Sequence, residues 1–214
     1  VYPGLAWYIC ETLYKPGRST DGSNLFVTRM GAMSGYETGL SNGVGLSYQK
    51  MATEIERKFL LSSCDWRQSV DHSVFMSQGY LQRISATKQG MDTLSSIRVR
   101  ISGEKAFLNI KSATIGIVRT EYEYPIPMTD AREMLQALCV GATVEKTRHY
   151  VTVDRHVWEI DEFAGDNAGL IVAEIELSQQ NEDFVRPSWL GEEVSADPRY
   201  YNVCLSQQPY NTWN

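Results

Sequence analysis

Polar and apolar residues alternate along much of the chain between residues 53 and 177. In Thr53-Glu-Ile-Glu-Arg-Lys-Phe59, the charged residues Glu54, Glu56 and Lys58 take every second place. Alternate side chains of a strand share one face. Two carboxylates and an ammonium therefore share a face where an ordinary core would carry apolar groups. The alternation, with enrichment in Val, Ile, Tyr and Phe, predicts strands at 53–60, 78–84, 96–101, 105–111, 117–124, 144–153, 156–162 and 170–177. Gly103 with Glu104 predicts a hairpin turn, and Gly165 and Gly169 bracket a loop. Met134, Leu135 and Leu138 predict a helix over Asp130–Leu138 with Thr129 as N-cap. A second short helix is expected near 179–185. About eight consecutive antiparallel strands predict an α+β chain, mainly antiparallel β, closed into an eight-stranded barrel with a few flanking helices. Closure removes exposed strand edges.

The same charged face recurs from strand to strand. The third gives Arg98 and Arg100, the fourth Lys111, the fifth Arg119, Glu121 and Glu123. The sixth gives Lys146 and Arg148, the seventh Glu159 and Asp161, the eighth Glu174 and Glu176. In a one-sided sheet such a face is simply the solvated one. Two features weigh against that. Like charges two residues apart repel unless something neutralises them, and the strands segregate by sign. Turned inward, these faces would set acidic groups beside basic ones around a wet lumen. Carboxylate clusters suit Mg²⁺ or Mn²⁺, and arginine with lysine suits phosphate. Together they are what a metal-bound polyphosphate needs.

The 214 residues carry a net charge of −6 and are 43% hydrophobic, which indicates one domain with a sizeable core and room for an appendage. No stretch approaches the roughly 20 apolar residues of a membrane span. A pI near 5.2 weighs against nucleic acid as the main partner. Cys10, Cys64, Cys139 and Cys204 show no zinc spacing. They could pair as two disulfides, but reduced thiols in a cytoplasmic protein are the preferred reading. Residues 1–50 hold 8 of the 16 glycines without sustained periodicity. Met51, directly before the charged strand, is therefore expected to be the biological start, with 1–50 an upstream translation artefact or a disordered extension. A glycine-rich linker is the alternative. Trp158 and Phe163 are expected in the core, Trp189 as an anchor for the C-terminal segment, and His149 and His156 on the surface.

Glu54-Ile-Glu56-Arg-Lys58 resembles the ExExK signature of the CYTH superfamily, the triphosphate tunnel metalloenzymes. So do Gln78-Gly-Tyr80-Leu81, Arg98-Val-Arg100, Leu108-Asn-Ile-Lys111, Arg119-Thr-Glu121-Tyr-Glu123, Val144-Glu-Lys146-Thr-Arg148, Asp161-Glu-Phe163, Glu174-Ile-Glu176 and Trp189-Leu-Gly-Glu-Glu-Val194. The set is ordered over residues 51–214 and is most similar to the short, single-domain bacterial members. The resemblance implies a tunnel that binds a triphosphate with Mg²⁺ or Mn²⁺. It implies Glu54, Glu56, Glu174 and Glu176 as metal ligands, with Asp161 close by. It gives the phosphate chain to Lys58, Arg98, Arg100, Lys111, Lys146 and Arg148, places Glu121 and Glu123 on the tunnel wall, and makes Lys111 and Tyr80 candidates for activating water. No lysine follows Lys146, so Arg199 is the candidate for a basic residue in the C-terminal segment. The implied activity is hydrolysis of inorganic tripolyphosphate. A cyclase making cyclic AMP from ATP, a thiamine triphosphatase and a non-catalytic polyphosphate-binding module are the alternatives. A homodimer is compatible with the resemblance, without an interface pattern in the sequence.

Overall fold

The first strand and the eighth are neighbours, and their pairing closes the sheet. The computed structural model describes residues 52–83, 86–87, 90–91 and 95–213. The expectations about residues 1–50, Met51 and Cys10 lie outside them. The strands are β1 (Ala52–Leu61), β2 (His72–Tyr80), β3 (Ser95–Ser102), β4 (Lys105–Ser112), β5 (Val118–Pro125), β6 (Val140–Val153), β7 (His156–Phe163) and β8 (Ile171–Glu176). Their order is β8-β7-β6-β2-β3-β4-β5-β1, all antiparallel, and β1 pairs back onto β8 with Lys58 opposite Glu174. The other edge of β1 is shared. β5 takes Ala52–Ile55, and a short ninth strand, β9 (Leu190–Glu193), meets Phe59 and Leu61. A two-residue ladder joins Ala86–Thr87 to Gly90–Met91. Helix α1 spans Met128–Ala137 and α2 spans Asn202–Leu205. Among the described residues no helix is long and apolar enough to cross a membrane.

Three expectations need correction. The second strand runs over His72–Tyr80 rather than 78–84, because β6 and β3 flank it along most of this length. Residues 179–185 form one turn, closed by Glu182 N donating to Gln179 O at 3.1 Å, and then irregular chain instead of a helix. There the Glu182 carboxylate accepts from the backbone N–H and hydroxyl of Ser178, at 2.7 Å each, in place of a helical ladder. Helix α1 starts after Pro127, and Thr129 lies inside its first turn, its hydroxyl donating to Asp130.

The charged faces do turn inward, and the apolar faces turn outward against covering segments. Ile55, Phe59, Trp158, Ile160 and Ile175 are buried beneath Trp66 and Trp189. Trp189 meets Trp158 edge-on at 5.5 Å, so both packing expectations hold. Val99 and Ala106 lie under Ala131 of α1. The bore itself changes character along its length. Beyond Lys58, Lys146, Asp161 and Glu174, the next residues on the same faces are Leu60, Val144, Phe163 and Val172. These pack with Leu205 of α2, which is fully buried. One half of the barrel is thus charged and the other is filled by an apolar plug.

Candidate active site

The charged half encloses a cavity of about 220 Å³. It is lined by Glu54, Glu56 and Lys58 from β1, Tyr80 from β2, Arg98 and Arg100 from β3 and Lys111 from β4. Arg119, Glu121 and Glu123 come from β5, Arg148 from β6, Glu159 from β7, and Glu174 and Glu176 from β8. Because β1, β3, β5 and β8 contribute alternate residues, each presents its charged set to the lumen.

Opposite charges neutralise each other across the lumen. Lys58 Nζ binds Glu56 at 2.5 Å and also bonds Glu174. Burial alone would discharge Lys58, but the two carboxylates hold its pKa above the usual lysine value. Glu174 is in turn kept well below the carboxylate range, since Lys58, Arg148 and Lys146 outweigh its burial. Glu56 behaves alike, lowered by Lys58, Lys111 and Arg119 against its burial and the nearby Glu174. Glu54 goes the other way. Burial, Glu56 and Glu121 raise its pKa despite Lys111. Arg100 falls to about 10 through burial and the proximity of Arg98.

Two expected site residues lie deeper than the cavity. Asp161 is completely buried and binds Lys146 and Arg148, the latter through Nε and Nη2 at 2.7 Å. Lys146 is 1% exposed, its pKa pulled to about 8 by burial and by Arg148. The pair buttresses Arg148, whose Nη2 reaches Glu174 at 2.6 Å. Tyr80 and Lys111 are held by separate partners. The Tyr80 hydroxyl accepts from Gln78 Nε2 at 3.2 Å, and burial lifts its pKa to about 12. Lys111 bonds Glu54 at 2.8 Å and Glu121 at 3.0 Å.

Arg199 does not enter the cavity. It is 63% exposed, bound to Asp197, and lies over Tyr200 and Trp213. His156 is buried against Glu182 at 3.0 Å, and the His149 side chain is 14% exposed, its Nδ1 2.7 Å from Ser73. Both depart from the surface expectation because covering segments close over β6 and β7.

A family model for the CYTH domain matches residues 52–201. This chain belongs to the CYTH domain family. Curated relatives include a protein of Acetivibrio thermocellus named inorganic triphosphatase, 41% identical over 76% of this chain and 99% of its own. One of Nitrosomonas europaea with the same name is 37% identical over 72% of this chain and 97% of its own. The crystal structure of an inorganic triphosphatase superposes with a TM-score of 0.50, at 35% identity, covering 74% of this chain and 97% of that one.

The CYTH cavity has members to which the sequence reading assigned no role. Arg119 and Glu159 stood on the alternating faces, and that alternation was the available signal. Tyr201, Asn202 and Val203 also line the cavity. They come from a segment without periodicity, so no local pattern pointed to them.

Proposed function

We propose that this chain is a metal-dependent triphosphatase that cleaves inorganic tripolyphosphate to pyrophosphate and phosphate. The observation that carries the reading is one cavity with carboxylates from β1 and β8 facing guanidinium and ammonium groups from β3, β4 and β6. The carboxylates supply hard oxygen donors, the kind that Mg²⁺ and Mn²⁺ take. Among the described residues, no three of them form a ready-made metal cluster, because most of their oxygens bind cations instead. The crowding that raises the Glu54 pKa, beside Glu56 and Glu121, would be relieved by a divalent cation. Glu54, Glu56, Glu174 and Glu176 would hold it. When bound, the metal neutralises phosphate charge and polarises the phosphoryl group toward attack by water.

The protein's own groups do the rest. Arg98, Arg100, Lys111 and Arg148 bind the non-bridging oxygens and stabilise charge as the terminal phosphoryl leaves its neighbour. Arginine offers paired donors for this. Lys58 is saturated by Glu56 and Glu174, so it orients those carboxylates. Lys146 and Asp161 fix Arg148 from behind. Lys111, between two carboxylates, is the basic group placed to direct an attacking water, while Tyr80 is kept protonated by burial and acts as a donor or wall.

The test is phosphate release from tripolyphosphate, ATP and thiamine triphosphate in parallel, with Mg²⁺ or Mn²⁺ and with chelator, and cyclic AMP assayed in the ATP sample. Preferential metal-dependent release from tripolyphosphate is expected. Cyclic AMP would replace this reading with a cyclase. Preferred release from thiamine triphosphate would reassign the substrate. Binding without turnover would reduce the protein to a phosphate-binding module.

A further inference from the structure

Asn109 of β4 is fully buried, behind two carboxylates that line the cavity. It stands opposite Arg98 of β3 and Glu123 of β5, and Lys111, next on the same face, stands opposite Glu121. Its Nδ2 donates to Glu121 Oε1 at 2.8 Å and to Glu123 Oε2 at 2.6 Å. Ionised carboxylates only accept, so the amide nitrogen is the atom that faces them. Its Oδ1 is buried without a hydrogen-bond partner among the described residues. A half-satisfied amide is a costly way to fill a strand interior, where an apolar side chain would pack without that penalty. What the amide contributes there is its two donated bonds.

Those bonds decide which cations the carboxylates hold. Glu121 and Glu123 are like charges two residues apart on one face. Asn109 takes Oε1 of Glu121, and the Arg98 guanidinium stands off from that oxygen at 3.5 Å, the far limit of a hydrogen bond. Oε2 of Glu123 is shared between Asn109 and Arg100, whose Nη2 lies at 2.6 Å. The Nε atoms of Arg98 and Arg100 are buried without partners among the described residues. Arg148 is the contrasting case, its guanidinium bound by Glu159, Asp161 and Glu174. Burial pushes the Glu121 pKa up, but Lys111, Arg98 and the bonds from Lys111 and Asn109 bring it below the ordinary carboxylate value.

From this geometry, and resting on the assignment of Arg98, Arg100 and Lys111 to phosphate under the triphosphatase reading, we infer that Asn109 is a positioning residue. Its amide occupies oxygens of Glu121 and Glu123 that would otherwise close on the cations, and so leaves guanidinium donors available to the substrate. Without the amide, Glu121 Oε1 would turn to Arg98, and Glu123 Oε2 would serve Arg100 alone. Such charge-assisted bonds are strong, and an incoming anion would have to break them first. Asn109 touches no reacting atom and acts through the two carboxylates.

The experiment measures the affinity of the full chain for tripolyphosphate by calorimetry, with chelator present so that metal-dependent turnover does not intervene. Asn109→Leu, close in shape but without donors, is expected to raise the Kd at least tenfold. An unchanged Kd would overturn the inference. Asn109→Thr, whose hydroxyl supplies one proton, is expected to fall between wild type and Asn109→Leu. No recovery would remove the assignment to donated bonds. If the leucine variant does not fold, the threonine variant supplies the readout, and a Kd equal to wild type then overturns the inference. Added to Glu121→Gln with Glu123→Gln, Asn109→Leu should change the Kd by less than about twofold, because the carboxylates it acts through are gone. The same tenfold loss in that background would mean general damage to the barrel and would overturn the inference. Phosphate release by the wild type with Mg²⁺ tests the triphosphatase reading separately. Binding without release would overturn that reading and leave the role of Asn109 to be decided by the affinities. No binding of tripolyphosphate by the wild type would overturn both.

Discussion

Both carboxylate oxygens of Glu54 lie 2.8 Å from the ammonium of Lys111. In the free protein, a group proposed for metal and a group proposed for phosphate occupy each other. An anion that engages Lys111 frees Glu54, and a cation that engages Glu54 frees Lys111. Linkage makes this reciprocal. Mn²⁺ titrated alone in a calorimeter is expected to bind at least tenfold more weakly than Mn²⁺ titrated with a non-hydrolysable tripolyphosphate analogue present. Equal affinities would mean that the internal ion pairs do not compete with the ligands.

Replacing Glu54 and Glu56 together by Gln keeps size and shape but removes two charges from β1. Metal-dependent phosphate release is expected to fall by about a hundredfold or more, the scale of losing transition-state electrostatics. The melting temperature should stay close to wild type, because Lys58 retains Glu174. Full activity in the double variant would remove these residues from the metal site.

Asp161→Asn leaves Lys146 and Arg148 buried with one carboxylate fewer. Uncompensated buried charge costs about 3–5 kcal/mol, so the urea midpoint should drop sharply. Adding Lys146→Met, which removes the stranded ammonium, is expected to recover a large part of the loss. A double variant no better than the single one would contradict this account.

Glu182 carries a pH signature. Hydrogen bonds from Ser178 and His156 lower its pKa from 4.5 to about 2. The ionised form is thus favoured by folding, so its contribution is complete above the ordinary value and fades as pH falls toward 2. The stability gap between wild type and Glu182→Gln should be widest near neutral pH and close between pH 4.5 and 2. A gap independent of pH in urea titrations would exclude this role.

Gly141 holds the plug in place. Its φ is +81°, and an added Cβ would stand 2.5 Å from the carbonyl oxygen of Ser206. That carbonyl accepts from Ala142 N at 2.7 Å, fastening the C-terminal segment to β6. Gly141→Ala should cost about 1–3 kcal/mol from backbone strain alone and raise KM for tripolyphosphate as Tyr201 and Val203, which line the cavity, shift. An unchanged melting temperature would show that the segment is not pinned there.

What the sequence disclosed depended on periodicity. Glu54, Glu56 and Lys58 could be read as one face because alternation is a local property, and so could Arg98 with Arg100. Depth along the bore is not local. Nothing in Val144-Glu-Lys146-Thr-Arg148 says that Lys146 sits behind the cavity while Arg148 lines it. That depends on Phe163 and Leu205, which arrive from elsewhere. Tyr201 and Val203 were hidden for the same reason. The turn at 179–185 was misread because a carboxylate satisfying a backbone donor looks, in sequence, like any helical Glu.

The pairing of β1 with β8 also has a temporal side. Lys58 and Glu174 are separated by 116 positions in the chain, and β1 finds all its partners in β5, β8 and β9. Contacts of such long range form late and slowly. During synthesis the first strand must wait, with its charged face unsatisfied, until nearly all of the remaining fold exists. The acidic wall comes into being only in the final act of closure, so an incompletely folded chain lacks the carboxylate array proposed to hold a divalent ion. Recovery of turnover during refolding would then clock the last step of assembly rather than the first collapse.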